Sequence, residues 1–159
     1  MKPNESNIAR EKVALDPIYL FKFVKATESD KDYLLTLRKL TMTEHLESAG
    51  LFLTEEEHVD RLNHKFDCSY LVVFNNDKVG HVKYELNEQN LDLIQIQIDP
   101  KYQGKGIGSV AIKRILREGK GKRITLSVLK ANPAVRLYEK FGFEIVDEDK
   151  YEYHMRAIG

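Results

Sequence analysis

Apolar residues along this chain follow two rhythms, one of period two and one of three to four, and the switches between them lay out the elements. Residues 18–25 alternate as a first strand. Thr27, with Asp30 three residues on, then opens a helix whose inward stripe is Tyr33, Leu37 and Leu40. Thr54-Glu55-Glu56-Glu57 is a clearer capping box, ahead of a helix expected to bury Val59, Leu62 and Phe66. Residues 70–74 and 79–86 read as a hairpin about Asn75-Asn76-Asp77, and 91–98 as the next strand, ended by Asp99-Pro100. Over residues 107–118, Ile107, Ala111, Ile115 and Gly108, Ile112, Leu116 recur at helical spacing, with Lys113, Arg114 and Arg117 outward. A strand at 124–128 follows, then a helix at 133–141 with Asn132 as its cap, Pro133 in its first position and Gly142 just past its end. Residues 143–146 and 151–155 finish as an antiparallel pair. Strands and helices mixed around one sheet make an α+β order.

Composition narrows the function classes. A chain of 159 residues with 42% hydrophobic and 31% charged residues fits one domain with a real core. Residues 1–17 form a polar extension, loosely ordered or with a short helix at 8–15, and residues 18–159 form the domain. Basic and acidic residues balance at 25 each, so no global charge calls for nucleic acid or a membrane surface. The distribution is less even: Ala26 to Asp67 holds ten acidic and five basic residues, Lys101 to Arg123 one acidic and eight basic. One cysteine, Cys68, excludes an intrachain disulfide and reads as buried filler beside an apolar strand. The histidines at 45, 58, 64, 81 and 154 show no metal-ligand spacing, so no metal is expected. With no apolar run of membrane length and no signal-peptide core, a cytoplasmic location is expected.

The chemistry concentrates in Gln103-Gly104-Lys105-Gly106-Ile107-Gly108, between the strand at 91–98 and the helix at 107–118. The first N–H groups of a helix have no internal partner, and glycines allow a phosphate to approach them closely. The loop therefore reads as a pyrophosphate site. A nucleotide P-loop needs Lys-Ser/Thr after its last glycine, and a dinucleotide fingerprint needs Gly-x-Gly-x-x-Gly; glycines at 104, 106 and 108 satisfy neither.

Gln103, Gly106 and Gly108 instead resemble the Gln/Arg-x-x-Gly-x-Gly/Ala acyl-CoA loop of the GCN5-related N-acetyltransferase (GNAT) superfamily. Asn132 to Phe143, with Leu137-Tyr138-Glu139-Lys140 followed by Gly142-Phe143, is similar to that superfamily's later motif in order and spacing. The resemblance implies a GNAT-like domain with a mixed, mostly antiparallel sheet, splayed central strands and flanking helices. It implies acetyl transfer from acetyl-CoA to a primary amine by direct attack in a ternary complex, with a catalytically silent acyl-CoA-binding module as the alternative. By the same resemblance, N–H groups of Gly104, Lys105, Gly106, Ile107, Gly108 and Ser109 hold the pyrophosphate. The backbone of Ile96, Gln97 and Ile98 holds the pantetheine arm and polarises the thioester carbonyl. Asn132 contacts the pantetheine amides, and Tyr138 is the general acid for the departing thiolate. Asp92 falls where some members carry a catalytic glutamate; others carry a glutamate on the later strand, where this chain has Ser127, and Glu85 on the neighbouring strand is another candidate base. The acidic stretch from Thr41 to Phe66, with Glu44 and His45 at its start, is the expected acceptor wall for a small-molecule or peptide amine. A homodimer through the last strands is a further implication.

Overall fold

The computed structural model describes residues 20–159; the extension expected over residues 1–17 and the first two residues of the expected first strand lie outside them. Among these residues, seven strands form one sheet: β1 (Phe21–Lys25), β2 (Ser69–Phe74), β3 (Asp77–Leu86), β4 (Asn90–Ile98), β5 (Arg123–Leu129), β6 (Glu144–Glu148) and β7 (Glu152–Ile158). Their spatial order is β1-β2-β3-β4-β5-β7-β6. Every neighbouring pair is antiparallel except β4 with β5. Among the described residues, four α-helices flank the sheet: α1 (Lys31–Ser48), α2 (Glu55–Asn63), α3 (Ile107–Glu118) and α4 (Ala134–Lys140).

The one parallel pair shapes the molecule. β4 and β5 are in register from Asn90 opposite Arg123 to Leu93 opposite Leu126, and the ladder stops there. Beyond it β4 continues to Ile98 against β3 alone, while β5 continues to Leu129 against β7 alone. The strands therefore diverge at the middle of the sheet, as the resemblance implies. Parallel strands need a long crossover, and the glycine loop with α3 supplies it. Ile107, Ala111, Ile112 and Ile115 on α3 pack with Leu91, Leu93, Ile124 and Leu126 in the main core.

A β-bulge falls at Ile94. Leu93 is opposite Tyr84 and Gln95 is opposite Lys83, so Ile94 has no cross-strand partner. Directly opposite residues share a face. Leu91, Leu93 and Ile96 consequently face α3, whereas Asp92, Gln95 and Gln97 face α1 and α2. Strict alternation places Asp92 on the side of Ile96, and the bulge corrects that expectation. It also explains why Gln97 is only 3% exposed: it faces His81 under α1 and α2.

Three local expectations shift. The box of Thr27 with Asp30 is present, with Thr27 N–H donating to Asp30 Oδ2 at 2.8 Å, but it opens a 3-10 turn (Glu28–Asp30) before α1. The inward stripe of α1 is Leu34, Leu37, Arg38 and Leu46, while Leu40 is 60% exposed and Tyr33 half-buried. The pattern admits both phases, and Arg38 on the buried face hid the true one. In α2, His58 and Leu62 are buried and Val59 is half-buried, while Phe66 belongs to the following 3-10 turn (Phe66–Cys68). Cys68 is half-buried there, and burial pushes its thiol pKa up.

Lys83, wholly buried on β3, anchors α2 to the sheet. Its Nζ donates to the carbonyls of Arg61, Leu62 and His64 at 3.1, 3.0 and 2.6 Å. These carbonyls end a helix and lack intrahelical donors, and a cation there also meets the negative end of the helix dipole. Burial, with Arg38 adding repulsion, lowers the lysine pKa from 10.5 to about 8. Lys83→Met should therefore cost about 1–3 kcal/mol in urea unfolding at neutral pH, because three acceptors lose their donor. Between about pH 8 and 10.5 the unfolded chain holds a proton that the folded lysine has released, so the wild type gains stability as pH rises through that window. The gap between wild type and Lys83→Met should widen across it and be flat below.

Candidate functional site

The glycine loop is held to the end of β4 by side chains. Asp99 Oδ1 accepts from Lys101 N–H at 3.0 Å, and Gln103 Nε2 donates to Ile98 O at 3.0 Å. Gly104 and Gly106 have φ of +78° and +80°, a left-handed conformation costly to any residue with a Cβ. The turn they make leaves the N–H groups of residues 104–109 without a backbone acceptor among the described residues. Val110 N–H is the first to bond, to Gly106 O at 3.1 Å. A row of open donors at the start of a 12-residue helix is an anion site by geometry and by dipole.

The basic stretch divides in space. Lys101 and Lys105 are exposed at the loop, with Lys105 Nζ 5.7 Å from the Tyr102 ring centre. Lys120, Lys122 and Arg123 follow the far end of α3, about 18 Å away along the helix, where Lys122 donates to the carbonyls of Asn87 and Glu88. Arg114 is not fully outward: it pairs with Glu118 at 3.0 Å and lies over the Phe23 ring at 5.4 Å.

Two cavities meet where β4 and β5 part. One, of about 290 Å³, is lined by Ile96, Gln97 and Ile98, by Gln103, Gly104 and Gly108 of the loop, and by Asn132, Leu137 and Tyr138. The other, of about 710 Å³, runs between α1, α2 and the β6–β7 turn and is lined by Ile94, Gln95, Ser127 and Asp149 among others. Met42, Ile96, Asn132 and Tyr138 line both. Gln103, Gly104 and Gly108 of the first sequence motif and Asn132, Leu137 and Tyr138 of the second thus meet at the smaller cavity, while Lys105, Gly106, Ile107 and Ser109 lie outside the lining of both.

Tyr138 sits at that junction, 6% exposed, its ring edge-on to Phe143 with centroids 5.8 Å apart. Burial pushes its phenol up to about 12, so it stays protonated through the neutral range. Asn132 is a cap as well as a lining residue, its Oδ1 accepting from Ala134 N–H at 2.9 Å. Asp92 stands apart: it is exposed, accepts from Thr125 Oγ1 at 3.0 Å, and belongs to the paired half of β4, outside the lining of both cavities. Glu85 is engaged with Lys65 at 2.7 Å.

The acidic stretch contributes little to the larger cavity. Asp60 lines it, whereas Glu55 pairs with Lys39 at 2.7 Å and Glu57 caps Thr54. Glu44 and Glu47 belong to a separate surface hollow beside Lys39, and His45 lines the smaller cavity. The larger cavity instead combines Asp60, Asp149 and Glu152 with Arg38, Arg61 and Lys150. Arg38 is 2% exposed, with Nε donating to His58 Nδ1 at 3.2 Å; burial lowers its pKa to about 10. Sequence reasoning missed Arg38, Asp149 and His154, because their partners lie 20 residues off, on a turn, or across a ladder.

The described site is thus a loop of open N–H donors beside splayed strands, with a protonated tyrosine where two cavities meet. Residues 33–143 match the model of the Acetyltransferase (GNAT) family, and the chain belongs to that family. It is 34% identical over 99 residues to a spermine/spermidine N(1)-acetyltransferase of Bacillus subtilis, across 52% of this chain and 65% of that protein, just under two thirds of the relative's length. Among solved structures, an acetyltransferase of Thermus thermophilus superposes with a TM-score of 0.71 at 20% identity, covering 89% of this chain and 98% of the other. The PaiA N-acetyltransferase of Thermoplasma acidophilum, solved with coenzyme A, gives 0.65 at 16% identity, covering 87% and 99%. The fold is the one those proteins share.

The loop geometry sets a binding prediction. Gly106→Ala forces a Cβ into the left-handed region, a strain of about 1–2 kcal/mol. If the loop turns away to relieve it, the donors lose their aim, and coenzyme A affinity measured by calorimetry should fall about tenfold. Gly50→Ala, at φ of +82° beyond α1, should cost similar stability and leave that affinity unchanged.

Proposed function

We propose that this chain is an acyl-CoA-dependent N-acetyltransferase, moving acetyl from acetyl-CoA to a primary amine with both substrates bound at once. The observation that carries this reading is the opening between β4 and β5, entered from the glycine-loop side by one cavity and from the α1–α2 side by the other. A carrier on the first side and an amine on the second would meet beside Tyr138.

The residues divide the work. N–H groups of residues 104–109 hold the pyrophosphate of the carrier. The β5-facing backbone of residues 96–98, left without a ladder partner, pairs with the pantetheine arm and donates to the thioester oxygen as charge grows there. Asn132 steadies the same arm. Tyr138, protonated and within the junction, supplies the proton that the leaving thiolate takes. Direct attack needs no covalent intermediate on the protein.

The named Bacillus relative supports an amine acceptor. The larger cavity carries three carboxylates and three cations, so net negative charge alone does not select the acceptor. The decisive assay follows acetyl-CoA-dependent thiol release across polyamines, amino sugars, amino acids and peptides. One class should turn over, and Tyr138→Phe should lower kcat about a hundredfold or more while leaving the coenzyme A Kd unchanged. Tight binding without turnover of any amine would identify a silent acyl-CoA-binding module instead.

A further inference from the structure

An amine that arrives as an ammonium must lose a proton before it can attack, and the larger cavity contains a hydrogen-bonded chain suited to take it. Ser127 on β5 stands directly opposite His154 on β7. Ser127 Oγ is 2.7 Å from His154 Nδ1, and His154 Nε2 is 3.1 Å from Asp149 Oδ2. Ser127 and Asp149 both line the larger cavity, which Tyr138 also lines. Asp149 is itself fixed, its Oδ1 accepting from the N–H groups of Tyr151 and Glu152 at 2.8 Å each. Those backbone bonds, with the His154 contact behind them, hold its carboxyl below the usual range.

These contacts determine the direction of every hydrogen. An ionised carboxylate only accepts, so in the neutral imidazole His154 Nε2 carries the hydrogen and Nδ1 is the bare nitrogen. Ser127 then donates its hydroxyl hydrogen to Nδ1 and keeps its lone pairs for a donor in the cavity. An ammonium is such a donor. We propose that Ser127, His154 and Asp149 form a proton relay that deprotonates the acceptor amine, a role that rests on the N-acetyltransferase reading above. Ser127 touches the amine; His154 and Asp149 act through it.

The step balances. An N–H bond of the ammonium breaks and an O–H bond forms on Ser127 as its original O–H breaks and an N–H bond forms at His154 Nδ1. The imidazolium is stabilised by Asp149 and passes its proton to solvent, its side chain being 35% exposed. The freed amine pair forms the C–N bond as the C–S bond breaks, and the second amine proton balances the one that Tyr138 supplies to the thiolate. The relay also has a charge setting. Asp147 lies opposite His154 on β6, and Glu152, Arg156 and Lys150 flank it along β7 and its turn. Asp60, Arg61 and His64 line the cavity that Ser127 and Asp149 also line.

The test is the pH dependence of kcat/KM for wild type, Ser127→Ala, His154→Gln and Asp149→Asn with the best amine of the panel. Coenzyme A affinity and the nitrogen NMR shifts of the His154 ring are measured alongside. The wild-type profile should rise and then level off at a single ionisation. Ser127→Ala and His154→Gln should lose that plateau, climbing instead to the ionisation of the free amine, and fall about a hundredfold at neutral pH with coenzyme A binding unchanged. Asp149→Asn should move the plateau's ionisation to lower pH, since the imidazolium loses its anion. The ring shifts should report a bare Nδ1 and a protonated Nε2. An active wild type whose plateau survives in His154→Gln and Ser127→Ala overturns the relay and leaves the transferase reading intact. The opposite tautomer overturns it independently of turnover. Coenzyme A binding with no amine turned over overturns both.

Discussion

The structure depends on a hydrogen-bond ladder that ends early. Four residue pairs join β4 to β5, and after Leu93 and Leu126 the strands separate. Breaking a sheet at its centre exposes backbone donors and acceptors that cannot stay unpaired in an apolar interior. Here they face cavities, where a ligand can pair with them. The same parallel pairing demands a crossover, and the chain spends that connection on the glycine loop and α3. Splay, anion site and crossover helix are therefore one topological decision, and this is why the loop opens beside the gap.

The two faces of the sheet are stabilised by different means. On the α3 side the contact is aliphatic, built from Ile107, Ala111, Ile112 and Ile115 against β4 and β5. On the α1–α2 side, buried polar groups do much of the holding: Lys83 under the end of α2 and Arg38 against His58, while His81 and Gln97, opposite each other on the ladder, are buried without a hydrogen-bond partner among the described residues. Burial pushes His81 down to about 4, so it is neutral and adds no third cation. A polar interior is costly unless its members pair, and it leaves side chains able to bond where the larger cavity begins.

Much of this was legible in the sequence because it rests on local chemistry. The bounds of α3, the hairpin at Asn75 and Asn76, and the capping box of α2 follow from residues within four positions of one another. The glycine loop and the segment from Asn132 to Phe143 brought Tyr138 and Asn132 to the site for the same reason. Long-range features were not legible. The buried phase of α1 turned on an arginine that looks like a surface residue until His58 is seen beside it. The larger cavity's charges come from Asp60, Asp149 and Glu152, which no spacing connects, while the conspicuous run of Glu55 to Glu57 proved to be a helix start. Ser127 was noticed as a position and His154 as a residue, but only the ladder makes them neighbours.

The bulge at Ile94 has a bearing on how this strand tolerates change. On its two sides the sequence alternates in opposite phase, Leu-Asp-Leu before it and Gln-Ile-Gln-Ile after it, and one unpaired residue reconciles them. Were Ile94 drawn into the ladder, strict alternation would turn half the strand over, presenting Gln95 and Gln97 to the aliphatic layer and Ile96 and Ile98 to the polar one, whereas its removal would join the halves into one unbroken alternation with every side chain kept on its face. Substitutions along β4 are judged position by position, whereas a paired residue added on either side of the bulge would move every side chain after it to the other face. The strand is in effect two half-strands with separate orientations, joined by a single residue that carries the phase.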